Sequence, residues 1–373
     1  MTIRHSPATP SSTRGLFVSL ACVLVGFGVL MVHSASITSW PTEMERVYLL
    51  RHVTFLLAGV TAAGICASLP ARFWYHAAPW LFLLTAVLLA VVLVPGVGTR
   101  VNGAQRWLRF GPLSLQPSEL AKLALPLFVA RLMVSRRERL HRWVAGTLPV
   151  VWPPAVVVPL VMIEPDLGTS LFLAAGGLIA LFVGGWPLRN FLIGAGVCVP
   201  ACVGLVTMQP YQSRRITGFL AAWADLNEAP YQLKQSLVSL GEGGLLGVGL
   251  GRGWQKLSFL PEASTDFVFA VVGEELGLVG TLGLLTVWGG LFVLGLRLLA
   301  PFPRRSFVYV AGFTLLTQLA LQAALNMAVV TALVPPKGIP HPLISYGGSN
   351  LVVSLVTLGI LLSLTRAEPS AEC

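Results

Sequence analysis

Long apolar runs separated by short polar segments dominate the hydropathy pattern of the chain. A helix needs about 20 apolar residues to cross a bilayer, and about ten runs approach that length. They cover residues 15–34, 48–69, 76–97, 119–135, 147–163, 169–185, 188–208, 267–299, 307–334 and 351–364. The pattern predicts an all-α polytopic membrane protein with about ten transmembrane helices. The eighth and ninth runs are overlong, so we expect them to tilt or to begin with a partly re-entrant turn.

The composition agrees with a membrane protein, since 55% of the 373 residues are hydrophobic and only 11% are charged. Soluble domains carry about 25% charged residues. The net charge of +10 is scattered over short segments between apolar runs, whereas nucleic-acid binders gather such charge on one soluble face. We therefore predict no nucleic-acid partner. The first run is long enough to span, so we interpret it as a helix and not as a cleaved signal.

The distribution of arginines sets the predicted orientation. Cytoplasmic segments carry excess Lys and Arg, and placing the N-terminus in the cytoplasm puts an arginine cluster inside: Arg136, Arg137, Arg139 and Arg142. An even number of spans then places both termini inside. The prediction is a cytoplasmic tail over 1–14, one transmembrane domain over 15–366, and a second cytoplasmic tail over 367–373. A large extracytoplasmic loop, 209–266, lies between helices 7 and 8.

Cations also remain on the predicted outer side. They are Arg100, Arg106, Arg109, Arg214, Arg215, Arg252, Lys256 and Lys337. An anionic ligand such as a phosphate group would explain them. Long loops that are translocated regardless of charge would also explain part of this excess, so both interpretations stay open.

Asp266 lies where the long polar loop runs into an apolar helix. Pro261 breaks any earlier helix, and Ser264 or Thr265 could cap the new one. We expect Asp266 in the first turn, where the helix dipole favours a carboxylate. It is then either a functional acid held at the water–lipid boundary or a capping carboxylate and nothing more.

A second candidate site begins at 119, after a segment (96–118) in which arginines alternate with Trp107 and other apolar residues, as is typical of the headgroup layer. Ser118 could cap this helix, and Glu119 and Lys122 are i,i+3 neighbours on one face. A charge deeper in the membrane costs about 2.5–3.5 kcal/mol and usually has a paired or functional role. The two residues either neutralise each other or serve a site.

Three other features suggest less. Glu164 and Asp166 could form a glycosidase pair, but the intervening proline favours a helix-to-helix turn. The glycine-rich segment 240–253 matches no nucleotide-binding motif and predicts tight turns with close backbone approach to a ligand or lipid. Cys198 and Cys202 have helical spacing with no histidine nearby in sequence, so no metal site is predicted.

Several segments together resemble one family. They are NGAQRW at 102–107, QPSELAKL at 116–123, EPDLGT at 164–169, PYQLKQS at 230–236, FLPEASTDFVFAVVGEELG at 259–277, and GIPHPLISYGGS at 338–349. In this order they resemble the SEDS family (shape, elongation, division and sporulation) of bacterial peptidoglycan polymerases. MVHSAS at 31–36, Gln255-Lys256 before FLPEA, and PKG at 336–338 resemble its FtsW division branch more than its RodA branch. Ser264, His341 and Asn350 depart from the usual family residues.

The resemblance implies ten spanning helices in the bacterial cytoplasmic (inner) membrane. It implies that the chain polymerises lipid II, an undecaprenyl-pyrophosphate-linked substrate, into glycan strands on the outer face. It also implies that Asp266 is the essential acid, that a class B penicillin-binding protein transpeptidase is the partner, and that the protein works among other division proteins and membrane lipids.

The residues suit that chemistry. A β-1,4 product from an α-linked donor requires inversion, and a positioned carboxylate can take the proton of the attacking 4-hydroxyl. With a reference pKa near 3.9, Asp266 would be ionised and ready as a base. Pyrophosphate needs cations and no second acid. The predicted substrate-binding residues are Arg106, Glu119, Lys122, Lys256, Lys337 and Ser345. No cofactor is required, although a divalent cation could help to offset pyrophosphate charge.

Two other functions remain as alternatives. A lipid II flippase would also have many helices and intramembrane charge, and Glu274 and Glu275 in the eighth run favour it. A non-catalytic scaffold of the division complex would tolerate Asp266→Asn. Residue types alone leave the choice open.

Overall fold

The apolar runs form helices that pack into one bundle in a computed structural model. It describes residues 10–36, 43–101, 104–111, 113–208, 210–257 and 259–366. The α-helices in these ranges are α1 (Pro10–Ser36), α2 (Glu43–Ser68), α3 (Ala71–Val92), α4 (Pro117–Ser135), α5 (Leu148–Ile163), α6 (Leu167–Val183), α7 (Leu188–Met208), α8 (Pro210–Ala224), α9 (Tyr231–Gly243), α10 (Val268–Leu299), α11 (Phe307–Val330) and α12 (Gly348–Leu364). Single 3-10 turns occur at Arg137–Arg139 and Leu226–Glu228, and one π-helical turn at Trp143–Thr147.

A helix forms at each predicted apolar run, namely α1–α7 and α10–α12. Within the part of the chain that the structure describes, six helices are long and apolar enough to cross a membrane: Ser12–Ser36, Leu49–Ser68, Ala71–Val92, Trp143–Ile163, Val268–Leu299 and Phe307–Val330. The protein is therefore a helical, multi-pass membrane protein. Ten spans, their orientation and the division into tails and one domain stay predictions. Residues 1–9 and 367–373 of the two predicted tails lie outside the described residues.

Helix α1 is longer than the first predicted apolar run. Helix α1 begins at Pro10, so part of the predicted tail 1–14 is helical. Arg14 lies in that helix, and its guanidinium donates a hydrogen bond of 3.1 Å to the carbonyl of Leu362 in α12. A long arginine side chain can lie along an apolar helix and still reach a polar partner at its end.

The fold is helical, as predicted, except in the segment between α3 and α4. There, β1 (Thr99–Val101), β2 (Ala104–Phe110) and β3 (Leu113–Leu115) form a small antiparallel sheet in that order. Successive side chains of a strand point to opposite faces. Ala104 and Leu108 are buried, whereas Arg109 is exposed. Arg106 shares the parity of the buried pair, and the sheet directs it towards the helices.

The long segment 209–266 is likewise not a simple loop, because it contains α8 and α9. Apolar residues at helical spacing explain this, since Leu233, Leu237 and Leu240 fall on one face of α9. Leu233 and Leu237 pack with Phe219 of α8 and Ala332. The hydroxyl of Ser236 donates a bond of 2.7 Å to the carbonyl of Val330, which fastens α9 to the end of α11.

The centre of the bundle is formed by α4, α6 and α11, which contact one another. Most residues of α4 and α11 are buried, as expected for helices surrounded by others. Around them, α12 packs along α2, α3 along α4, and α1 along α10. Helices α2 and α3 expose a row of large apolar side chains on one side only.

Helix α10 is broken at Gly277, whose φ of 64° and ψ of −160° lie in a region that is essentially restricted to glycine. The break separates a short first part, 268–276, from the long remainder of α10. It also removes two helical hydrogen bonds, because the carbonyls of Glu274 and Glu275 no longer face the N–H groups of Leu278 and Val279. An overlong eighth run that begins with a re-entrant turn was one of the two predicted outcomes.

Residues 243–249, the part of the glycine-rich segment that lies against the break, supply the missing partners. Four hydrogen bonds of 2.9–3.1 Å join it to the break: Val248 N–H to the Glu274 carbonyl, Gly249 N–H to the Glu275 carbonyl, Leu278 N–H to the Gly244 carbonyl, and Val279 N–H to the Leu245 carbonyl. The two backbones lie so close that a Cβ atom at Gly247 would overlap the carbonyl of Glu275. The close backbone approach is therefore made to the protein's own helix and not, as predicted, to a ligand or lipid.

We expect Gly247→Ala to destabilise the protein more than Gly251→Ala. Both glycines have positive φ, 79° and 78°, so alanine costs roughly 1–2 kcal/mol at either position. Only Gly247 lies against backbone, whereas nothing lies within 4 Å of a Cβ atom at Gly251. Thermal unfolding in detergent should give a clearly larger fall in Tm for Gly247→Ala. Equal falls would contradict the role given to the glycine-rich segment.

Candidate functional site at the start of helix 10

The site is built around Ser264, Thr265 and Asp266, which lie in the turn before the first part of α10. The predicted cap was wrong, because α10 begins at Val268 and Phe267 occupies the N-cap position without a side-chain cap. Asp266 therefore lies in a turn before the helix and not in its first turn. The hydroxyl of Thr265 bonds within the turn, to the carboxylate of Glu262 at 2.8 Å.

Three hydrogen bonds hold the backbone of this turn against α11 and against residues 336–346. We call these residues the outer segment, after the side of the membrane on which they are predicted to lie. They are Tyr346 N–H to the Ser264 carbonyl (2.8 Å), Ser345 Oγ to the Thr265 carbonyl (2.5 Å), and Asn326 Nδ2 to the Asp266 carbonyl (2.7 Å). Three consecutive carbonyls thus accept from three separate donors. The position of Asp266 is fixed by tertiary contacts and not by a helix cap.

Burial and neighbouring charge raise the pKa of Asp266 to about 7. The largest cause is burial of its carboxylate; the negative charges of Glu262 and Asp166 add to it, and the positive charge of Arg215 opposes it. The expectation of an ordinary, fully ionised aspartate was therefore wrong. A Cβ atom at Gly338 would lie 3.1 Å from Oδ2 of Asp266, so the backbone of the outer segment forms one wall of the site.

Asp166 connects the predicted cations. Its carboxylate accepts from the N–H of Thr169 at 3.0 Å, which caps α6, and pairs with Arg106 at 3.2 Å. Lys337 lies next to the same turn, since a Cβ atom added at Gly168 would be 3.6 Å from its side chain. Burial lowers the pKa of Lys337, and the negative charge of Asp166 partly opposes this lowering. The charges of Asp166 and Asp266 also interact directly. Arg106, Lys337 and Asp266 are thereby brought together.

Glu164 is completely buried beside this group, at the end of α5. Among the described residues, no hydrogen-bond donor reaches either of its carboxylate oxygens. Arg106 instead donates to the backbone carbonyls of Glu164 and Pro165, at 3.1 and 2.9 Å. Burial, with a contribution from Asp166 and against one from Arg106, raises the pKa of Glu164 to about 8. The carboxyl is therefore mostly protonated at neutral pH.

Glu119 and Lys122 form the predicted pair on one face of α4, with Nζ 2.7 Å from Oε1. The predicted cap by Ser118 was wrong, because Gln116 occupies the N-cap and Pro117 begins the helix. Lys122 also donates to the side chain of Gln322 in α11, at 3.1 Å. Both charges are buried, so they neutralise each other away from bulk water.

Two small cavities, each with room for about one or two water molecules, meet at this ion pair. One opens towards Thr169 and Gly338, next to the wall of the Asp266 site. The other continues inward between α4, α6, α11 and α12, past Gln318 and Thr357. The ion pair therefore borders a polar space that connects with the surroundings of Asp266.

A row of polar residues on α11 lies at the centre of these contacts. Its members are Thr314, Gln318, Gln322 and Asn326, all buried and each four residues from the next. Besides accepting from Lys122, Gln322 donates to Pro340 and Asn350, both at 2.8 Å. The sequence analysis did not identify this row, although the spacing of four within an apolar helix was a signal for one polar face.

Two predicted substrate residues have other partners. Lys256 is fully buried and pairs with Glu275 at 2.6 Å. Ser345 is buried too, since its hydroxyl accepts from the N–H of His341 at 2.7 Å and donates to Thr265. Neither side chain is available to a ligand in this conformation. Their roles as substrate ligands are therefore unsupported by the geometry, because a buried ion pair and a buried hydroxyl use the groups that a ligand would need.

No group of three or more His, Cys, Asp or Glu side chains that could hold a metal ion occurs in the described ranges. A need for a divalent cation would depend on oxygen atoms from the substrate.

These features define a class: a polytopic membrane protein with a buried acid and cations at one end of its helix bundle. The family model FTSW_RODA_SPOVE, described as cell cycle protein, matches residues 14–369. The chain belongs to this family. It is 36% identical to a probable peptidoglycan glycosyltransferase FtsW of Hahella chejuensis, over 100% of this chain and 95% of that one. It is 37% identical to the FtsW of Geobacter sp. strain M18, over 95% and 98%.

Solved structures agree with this assignment. A chain from work on the structural coordination of polymerization and crosslinking by a peptidoglycan synthase complex matches with a TM-score of 0.76 at 30% identity, covering 94% of this chain and 96% of that one. The rod shape determining protein RodA of Thermus thermophilus matches with a TM-score of 0.68 at 31% identity, covering 94% and 95%. The match extends over nearly the whole bundle.

We expect Glu164→Gln to make the protein more stable at alkaline pH. The folded pKa of about 8 exceeds the ordinary value of 4.5, so the folded state binds more protons between these values. The free energy of unfolding contributed by the protonated form is then lost as pH rises through this range, by about 1.4 kcal/mol per pH unit. Glutamine resembles the protonated acid and has no such loss.

Thermal unfolding at pH 5 should therefore give similar Tm values for the wild type and Glu164→Gln, and at pH 8.5 a higher Tm for the variant. Glu228→Gln, at an exposed position, serves as the control and should change Tm little at either pH. Parallel pH curves for the wild type and Glu164→Gln would show that Glu164 is ionised in the folded protein.

Proposed function

We propose that this protein is a peptidoglycan glycosyltransferase that polymerises lipid II into glycan strands on the outer face of the bacterial cytoplasmic membrane, in cell division. The observation that carries the proposal is the buried Asp266 carboxylate, which interacts with Arg215 and with Asp166. Asp166 in turn pairs with Arg106 and interacts with Lys337. The chain's family and its relatives, which are named probable peptidoglycan glycosyltransferase FtsW, support the same activity.

In the proposed reaction, Asp266 acts as general base. The 4-hydroxyl of the acceptor sugar attacks the α-linked anomeric carbon of the donor, and the carboxylate takes the hydroxyl proton. The bond to the pyrophosphate oxygen breaks, and the anomeric configuration inverts. A base is most effective when its pKa lies near the working pH, and the pKa of about 7 for Asp266 meets that condition.

The leaving pyrophosphate needs positive charge and no second acid, because it departs as a stable anion. Lys337 and Arg106 are the proposed ligands. Arg215, whose positive charge acts on Asp266, is a third proposed ligand. Its guanidinium donates to the carbonyl of Pro336, next to Lys337, at 3.4 Å. Such preorganised charge stabilises the anion as it develops. No organic cofactor is part of the proposal, and a divalent cation could offset further charge.

Glu119 and Lys122 shape the cavity that borders the site, and their buried pair keeps Gln322 and the outer segment in place. The acceptor or donor sugar would approach from the side lined by Gly338 and Thr169, where the cavity would have to widen to admit it. This assignment makes the pair part of the substrate cavity and not of the proton transfer.

The proposed topology has ten spans, with both termini in the cytoplasm. It places the small sheet, α8, α9 and the Asp266 turn on the outer side of the inner membrane. The arginine bias and the helix formed at each apolar run support this topology. A class B penicillin-binding protein transpeptidase is the proposed partner, alongside other division proteins, since one similar chain belongs to a synthase complex that polymerises and crosslinks.

A lipid II flippase remains the second candidate, because the polar row on α11 runs far into the bundle. Its inner members Gln318 and Thr314 are buried, and one of the small cavities is lined by Gln318. A flippase requires a polar path through the membrane. Glu274 and Glu275, which also favoured a flippase, contact the glycine-rich segment and Lys256 instead. A non-catalytic scaffold is separated from both by the next experiment.

We expect Asp266→Asn to abolish glycan strand formation. The amide keeps the shape of the carboxylate but accepts a proton poorly, so the rate should fall by the 10²–10⁴-fold that general bases typically contribute. Purified protein with its cognate transpeptidase and labelled lipid II would be assayed by gel for strands. Asp225→Asn, the same change at an exposed outer position, is the control.

Strands from wild type and Asp225→Asn but not from Asp266→Asn, at equal thermal stability, would support the assignment. Strands from all three would refute the role of Asp266. Strands from none of them would favour the flippase or scaffold, and a lipid II translocation assay in vesicles would distinguish these two.

We expect the pH dependence of polymerisation to respond in opposite directions to two neighbours of Asp266. The base works when ionised, so the rate should rise with pH around 7. Glu262→Gln removes a negative charge that raises the pKa of Asp266, and the rise should move to lower pH. Arg215→Gln removes a positive charge that lowers this pKa, and the rise should move to higher pH. Initial rates between pH 5 and 9 test this, and shifts in the same direction would contradict Asp266 as the titrating group.

A further inference from the structure

Lys256, Glu275 and Ser34 form a closed set of contacts in the interior. Nζ of Lys256 lies 2.6 Å from Oε1 of Glu275 and donates to Oγ of Ser34 at 2.9 Å. The hydroxyl of Ser34 donates in turn to the carboxylate of Glu275 at 2.7 Å. The side chains of Lys256 and Glu275 are both wholly inaccessible to solvent. Three elements therefore meet at one point: α1, the segment before Asp266, and the first part of α10.

The ion pair closes a loop in the chain that contains Asp266. Lys256 and Glu275 are 19 residues apart, and Asp266 lies midway between them. The neighbouring residues reinforce the closure, since the N–H groups of Trp254 and Gln255 both donate to Oε1 of Glu274, at 2.5 and 3.1 Å. The turn that carries Asp266 is thus held at both ends on one short, buried stretch of helix.

A buried ion pair contributes little net stability, because the loss of hydration offsets most of the attraction. Such pairs can instead select one geometry, since each charge is tolerated only with its partner in place. Lys256 could reach a pyrophosphate only by leaving Glu275 as an unpaired charge in the interior. The contacts therefore argue for a role inside the protein and against direct contact with substrate.

We propose that Lys256, Glu275 and Ser34 are positioning residues that fix the Asp266 turn against α1 and the first part of α10, so that the carboxylate is held where the reaction requires it. We call these three residues the interior lock. The proposal rests on the proposed function and deepens it. It also gives a role to Glu274 and Glu275, which in a flippase would line a path for substrate.

The test compares Lys256→Met, Glu275→Gln, the double variant and Ser34→Ala with wild type. Initial rates of lipid II polymerisation give kcat and KM, thermal unfolding gives Tm, and hydrogen exchange reports on residues 257–267. Lys234→Met is the matched control, because this lysine belongs to α9 in the same outer region and donates to Asn227 away from the lock.

For the lock we expect each charge variant to lower kcat at least tenfold and to leave KM within about twofold of the wild type. Each should lower Tm, because one buried charge loses its partner. The double variant should regain much of this Tm, since no unpaired charge remains, while kcat stays as low as in the single variants. Hydrogen exchange in 257–267 should be faster in Lys256→Met, in Glu275→Gln and in the double variant. Ser34→Ala should lower kcat by a smaller factor.

Three results would overturn the proposal. A raised KM for Lys256→Met together with normal kinetics for Glu275→Gln would make Lys256 a substrate ligand. Recovery of kcat together with Tm in the double variant would make the pair a requirement for folding alone. Unchanged exchange in 257–267 would show that the lock does not hold the turn. If the wild type makes no strands, the proposed function fails, and the exchange measurement still decides whether the lock holds the turn.

Discussion

A helix buried among others must have its backbone polar groups satisfied by protein, because no water is available to them. The break at Gly277 leaves two carbonyls and two N–H groups without helical partners, and the glycine-rich segment 243–249 satisfies all four. This requirement explains why the glycines are there and why residues 243–249 fold back against α10. The short first part of α10 is a consequence of the break, and Asp266 is positioned at its start.

The electrostatics of the site follow from the same arrangement. Once the turn is held against the outer segment and α11, the carboxylate of Asp266 is removed from water, and its pKa rises to about 7. Asp166 raises it further and at the same time holds Arg106 near Lys337. One acidic residue thus adjusts the base and orders the cations. In the polar row on α11, Gln322 and Asn326 donate hydrogen bonds to the outer segment. Asn326 also donates to the carbonyl of Asp266, so α11 joins the Asp266 turn to the outer segment.

Much of this was predictable from local sequence. Helices form at each apolar run because burial of apolar side chains and internal backbone bonding leave few alternatives in a membrane. Asp266, Lys337, Arg106 and the Glu119–Lys122 pair were found through motif resemblance or i,i+3 spacing. The β-sheet, α8 and α9 were missed, because short amphipathic elements between spans depend on what they pack against.

The sequence alone therefore determined where the apolar helices form, the bias in charge between the segments that join them, and which acid precedes the eighth run. The tertiary structure decided which partner each charged group has. Lys256 and Arg106 look alike as outer cations, yet one is enclosed with Glu275 and the other faces the Asp266 site. Partner choice depends on contacts between residues far apart in the chain, such as Ser34 with Lys256, and no local pattern contains that information.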